Sequence, residues 1–91
     1  MAIVSAFNIP GMTSEQYDQT IKELEAAGAG TPDGRLYHVA APTADGWFVT
    51  DVWESAEKFE KFGQTLMPIL QSTSVTPVEP AIYQVHNIIK G

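Results

Sequence analysis

Residues 35–53, RLYHVAAPTADGWFVTDVW, hold two β-prone runs on either side of an Asp-Gly turn, and this hairpin constrains the fold more than any other feature of the chain. RLYHVAA (35–41) and WFVTDVW (47–53) are rich in β-branched and aromatic side chains. PTADG (42–46) connects them, and its Asp-Gly pair supplies the backbone freedom a tight turn needs.

The flanking segments alternate between strand and helix signals. AIVSAFNI (2–9) reads as a strand that Pro10-Gly11 ends. Thr13 reads as an N-cap, with Gln16 at the capping-box spacing. Tyr17, Ile21 and Leu24 then form one stripe of an amphipathic helix, which Gly28 and Gly30 stop. AGTPDG (29–34) is a loop. After the hairpin, Ser55 caps a second helix whose stripe is Phe59, Phe62, Leu66 and Ile69. Pro68 falls inside that pattern and is expected to kink the helix or make it restart. Residues 74–80, with Pro77 and Pro80, read as an extended linker, and AIYQVHNII (81–89) as the last strand. The order β-α-β-β-α-β predicts a ferredoxin-like α+β fold with a four-stranded antiparallel sheet, as one domain over residues 1–91.

Several function classes are set aside by composition. The formal net charge is −6, and the five cations, Lys22, Arg35, Lys58, Lys61 and Lys90, are scattered rather than clustered. A chain of this kind repels phosphate, so no nucleic-acid partner is expected. There is no cysteine, hence no disulfide and no thiol nucleophile, which fits a reducing compartment. The start, MAIVSAFNIPG, lacks the basic and apolar regions of a signal peptide, and no apolar run approaches the ~20 residues that span a bilayer. A soluble cytoplasmic protein with no membrane contact is expected.

Two helices cover one face of a four-stranded sheet, and an open face should be polar if it meets water. Alternation sorts the side chains into two sets. Phe48, Val52, Tyr37, Val39, Tyr83, Val85 and Ile89 are expected as core beneath the helices. His38, Asp51, Gln84 and His86 fall with Trp47, Trp53, Leu36 and Ile82. That second set is too apolar for water and too polar for a dry core, so it is expected at an interface or a cavity. A chain this short is marginal alone. A second copy facing the mixed set, giving a homodimer, is the economical solution; a bulge would shift the assignment by one residue.

His38 is the leading acid/base candidate, because an imidazole exchanges protons near neutrality. Its alternative is a histidine hydrogen-bonded within an interface. Asp51 lies near His38 across the hairpin and would orient and charge-stabilise it, as a carboxylate does for a catalytic imidazole. The alternative is a structural carboxylate paired with Arg35 or capping backbone amides; either way it needs a partner. His86 joins the mixed face, and Trp53 offers an aromatic wall for a planar ligand, although both have structural readings too. Tyr17 and Phe62 read as core. His38, His86 and Asp51 lack a tight spacing motif, so no metal site is expected. No phosphate-binding glycine loop or serine elbow occurs.

IPGMTSEQYD at the first helix, LYHVAAPTADGWFVTDVWES across the hairpin and VHNII in the last strand, taken with the element order, make the chain resemble the dimeric α+β barrel superfamily. It is most similar to the small proteins grouped with antibiotic biosynthesis monooxygenases, over its whole length. The resemblance implies a homodimer with a pocket in each subunit between sheet and helices. It also implies an activity like that of the cofactor-free oxygenases, in which a phenol or anthrone is deprotonated and its anion reacts with oxygen. On that basis the expected function is a cofactor-independent monooxygenase-like enzyme acting on a small aromatic metabolite, with His38 and Asp51 catalytic and no cofactor. The alternatives are a binder of a small aromatic or apolar ligand and a structural dimer without one. Other members degrade haem with Asn, Trp and His. Asn8 and Trp53 are similar to two of these and are carried as ligand-binding candidates with His86, but residues 55–73 contain no histidine. Haem degradation is therefore not expected.

Overall fold

The protein, described over residues 1–91 by a computed structural model, runs β1 (Ile3–Pro10), α1 (Ser14–Ala26), β2 (Arg35–Pro42), β3 (Gly46–Trp53), α2 (Ala56–Ser72) and β4 (Ala81–Gln84). The strands form one antiparallel sheet in the order β2-β3-β1-β4. This is the ferredoxin-like βαββαβ arrangement expected from the sequence. β3 fills the place between β1 and β2, so α1 carries the chain over it and both helices pack on one side of the sheet.

Local chemistry sets the element ends. Thr13 and Gln16 make the full capping box: the Gln16 amide donates to Thr13 Oγ1 at 3.1 Å and the Thr13 amide to Gln16 Oε1 at 3.0 Å. Ser55 Oγ accepts from the Lys58 amide at 3.3 Å and starts α2. Gly46 is required by a close approach, since a Cβ there would lie 2.1 Å from the Ile9 carbonyl oxygen.

Two element expectations are corrected. α2 passes through Pro68 without restarting. Pro68 and Gln64, the residue whose carbonyl it leaves without an amide partner, are both exposed, so water can satisfy that carbonyl. β4 ends at Gln84 rather than at Ile89. Its partner β1 begins at Ile3; after Val85 donates to the Ala2 carbonyl, no strand lies alongside to pair with the tail.

The two faces of the sheet are opposite to expectation. Trp53 is 0% exposed and packs against Phe59 and Phe62 of α2, with ring centroids at 5.8 and 5.2 Å. Trp47 stacks on Tyr17 of α1 at 5.4 Å. The set containing Trp47, Asp51, Trp53 and His38 therefore lies under the helices, and Tyr37, Val39 and Tyr83 are exposed on the far side. Both sets are apolar enough to be buried, so strand alternation separates them without saying which one the helices cover. The helices cover the side with the two indoles, the largest apolar surfaces available. The core is in two clusters: Ile3, Leu24, Trp53 and Phe62 form one, and Ile9, Met12, Leu70 and Val75 the other.

Candidate functional site

Between these clusters lies an apolar cavity of about 70 Å³, lined by Leu24 and Phe62 from one side and by Ile9, Met12 and Leu70 from the other. Tyr17, Arg35, His38 and Asp51 are its ionisable lining residues.

The hairpin register builds the centre of the site. His38 on β2 stands directly opposite Asp51 on β3, the arrangement in which cross-strand side chains meet. His38 Nδ1 lies 2.5 Å from Asp51 Oδ1. Asp51 is 4% exposed, so its charge depends on this partner rather than on water. On the other side of the ring, His38 Nε2 lies 2.6 Å from the Tyr17 hydroxyl. A carboxylate only accepts, so the hydrogen sits on Nδ1 and donates to Asp51. In the neutral ring Nε2 then accepts, and Tyr17 donates to it. Asp51, His38 and Tyr17 thus form one hydrogen-bonded chain that ends at a phenol on the cavity wall.

α1 places that phenol. Met12 and Tyr17 occupy the two positions of a hydrophobic staple around the Thr13 cap, and Tyr17 packs against the cluster that contains Met12. Burial pushes the Tyr17 phenol above its usual range; Arg35 opposes this, and the carboxylates of Asp51 and Asp18 reinforce it. The phenol is held in its protonated, donating form.

Arg35 reaches the cavity because of an irregularity. The β2–β3 register shifts between Arg35 and Tyr37, so Arg35 pairs with Trp53 and shares the inner face with His38, three residues away. It does not pair with Asp51: its only side-chain hydrogen bond goes to the Gly30 carbonyl at 3.0 Å, and its guanidinium lies 5.9 Å from the centre of the Phe62 ring. Three further polar atoms on the helix-covered face, Ser5 Oγ opposite Asp51 and the indole nitrogens of Trp47 and Trp53, are buried without a partner. Each such group costs about 1–3 kcal/mol.

Of the residues singled out in the sequence, the fold brings His38 and Asp51 together and leaves the other three apart. Trp53 belongs to the closed core and does not line the cavity. Asn8 is exposed and pairs with Phe48 in the outward-facing set. His86 lies beyond the end of β4 and is exposed. No three histidine or carboxylate side chains converge to hold a metal. Sequence reasoning missed Tyr17 and Arg35 as cavity residues. Tyr17 carried a signal, since a buried phenol oxygen must find a partner. Arg35 carried none, because only the bulge turns it inward.

No protein-family model matches the sequence, and no curated protein matches it. Solved structures do match the fold. A protein from Deinococcus radiodurans classed as an antibiotic biosynthesis monooxygenase is 18% identical, with a TM-score of 0.61 over 99% of this chain and 97% of that one. SnoaB, a cofactor-independent oxygenase from Streptomyces nogalater, is 16% identical, with a TM-score of 0.62 over 99% and 96%. A Chloroflexus aurantiacus protein of the same class is 13% identical, with a TM-score of 0.63 over 98% and 95%. The chain has the ferredoxin-like fold of the antibiotic biosynthesis monooxygenase structures. No helix is long and apolar enough to cross a membrane.

Proposed function

We propose that the protein is a cofactor-independent monooxygenase-like enzyme acting on a small aromatic metabolite, with His38 as its base and Asp51 as the residue that orients and charge-stabilises it. The observation that carries this reading is the Asp51–His38–Tyr17 chain, at 2.5 and 2.6 Å, on the wall of an apolar cavity. The fold shared with SnoaB supports it. In an anthrone-like substrate, His38 removes a proton from an activated carbon, either directly or through Tyr17. The carbanion gives its electrons to oxygen, and a C–O bond forms as a hydroperoxide. Loss of the second C–H proton breaks the O–O bond, leaving a carbonyl on the substrate and releasing the other oxygen as water. The electrons come from the substrate, so no cofactor is invoked. The protein contributes proton transfer and positioning.

A second cavity of about 150 Å³ shares Phe7, Ile9, Phe59, Leu66 and Leu70 with the first. Rotation of the shared side chains would join the two into a space for a ring. The reading includes a homodimer, in which a second copy covers the outward face around Val39 and Tyr83, and a single cytoplasmic domain over residues 1–91.

Oxygen uptake with a panel of phenols and anthrones is the test. With an active substrate, His38→Ala should lose about 10²-fold or more of the rate while circular dichroism stays native. Unchanged turnover removes His38 from the chemistry. A non-catalytic ligand binder is the second reading, favoured by the guanidinium of Arg35, which lines the cavity with donors to spare and takes no part in the oxidation. That reading predicts binding with no oxygen consumed.

A further inference from the structure

We infer that the cavity selects a ligand bearing an ionised carboxylate, held by Arg35, with its apolar body lying towards Tyr17 and His38.

Arg35 is the only lysine or arginine among the cavity-lining residues, in a chain that has five in all against eleven acids. No carboxylate lies within ion-pairing distance of it, whereas Lys58 on the surface has two. One guanidinium N–H donates to Gly30, and the other guanidinium N–H groups make no hydrogen bond to the protein. The only carboxylate in the cavity wall, Asp51, is engaged by His38. A guanidinium presents five donors in a planar fork that matches a carboxylate. A cation with unused donors beside an apolar space gains most from an anion that brings its own apolar body.

The bulge at Leu36 strengthens the point. A regular strand would put Arg35 on the outer face, opposite in sense to His38. The register shift instead places the cation on the side of the acid/base pair. The same residue is anchored by Gly30 and by the Phe62 ring, so little side-chain freedom is left to lose when an anion arrives.

This inference rests on the cavity being the ligand site, but not on oxygen chemistry. Calorimetric titration at pH 7.5 with hexanoate against hexanamide, and with benzoate against benzamide, separates the two. In at least one pair the acid should bind about tenfold or more tightly than its amide, a difference of about 1.4 kcal/mol. Arg35→Gln should abolish that preference while leaving amide binding in place. Arg35→Lys should keep part of it, and Lys58→Gln, which removes a surface cation outside the cavity, should keep all of it. Arg35→Lys also guards against misfolding of the Gln variant, and the melting temperature of each variant is read alongside. Acids that bind no better than their amides, or a preference that survives Arg35→Gln in a folded protein, overturn the proposal. Carboxylate preference together with no oxygen uptake from any phenol or anthrone of the panel would overturn the oxygenase reading and leave this one standing.

Discussion

The two faces of the sheet distribute polarity the wrong way round for a lone domain in water. The covered face holds a carboxylate that is 4% exposed, an imidazole, a phenol and a guanidinium at a cavity. The open face shows Val39 at 55% and Tyr83 at 61% exposure, and its remaining members on β1 and β3 include Val4, Ala6, Phe48 and Val52. Buried polar groups lower stability unless each finds a partner, and exposed apolar groups lower solubility. The covered face keeps its polar groups where water is excluded, which is where proton transfer and anion binding are strongest. The open face keeps apolar side chains where another surface can cover them.

Three variants sharpen that contrast, taken from the largest expected effect to the smallest. Trp53→Ala should remove about 3–5 kcal/mol, since it empties a fully buried aromatic site; urea unfolding reads it directly. A cost near zero would put Trp53 on the open face instead. Val39→Glu examines that open face. If the face meets water, stability should change by no more than about 0.5 kcal/mol. If a second copy covers it, light scattering should show the mass fall to that of one chain, which is the outcome we expect. Tyr17→Phe has the smallest effect and shows itself at alkaline pH. The folded-state pKa of Tyr17 is raised above 10.0, so its contribution is complete below pH 10 and is lost as pH rises through the folded value. The variant should lack that decline, together with a phenolate absorbance step above pH 10. Loss of a phenolate step at or below pH 10 would mean that Tyr17 is not held protonated.

Much of this molecule could be read from the sequence before the fold was known. The Asp-Gly hairpin, the Thr13–Gln16 box and the two helical stripes each follow from a short-range rule, and each appears where those rules place it. The pairing of His38 with Asp51 was within reach for the same reason, because hairpin register depends only on where the turn lies. The identity of the covered face was not. Alternation carries parity and no absolute side, so the expected core of Tyr37, Val39 and Tyr83 and the expected open position of Trp47 and Trp53 came out reversed together, while His38 and Asp51 stayed on one face. Arg35 illustrates the same limit locally: one extra residue at Leu36 changes its side without any change in composition.

By itself, then, the sequence determined the element order, the caps, the hairpin register and the net charge, all of which depend on neighbours along the chain. Which face the helices cover, where the bulge turns Arg35, and which phenol meets His38 were decided only by tertiary packing. Those outcomes depend on which large side chains can share a common interior, and that competition is settled between segments far apart in the chain.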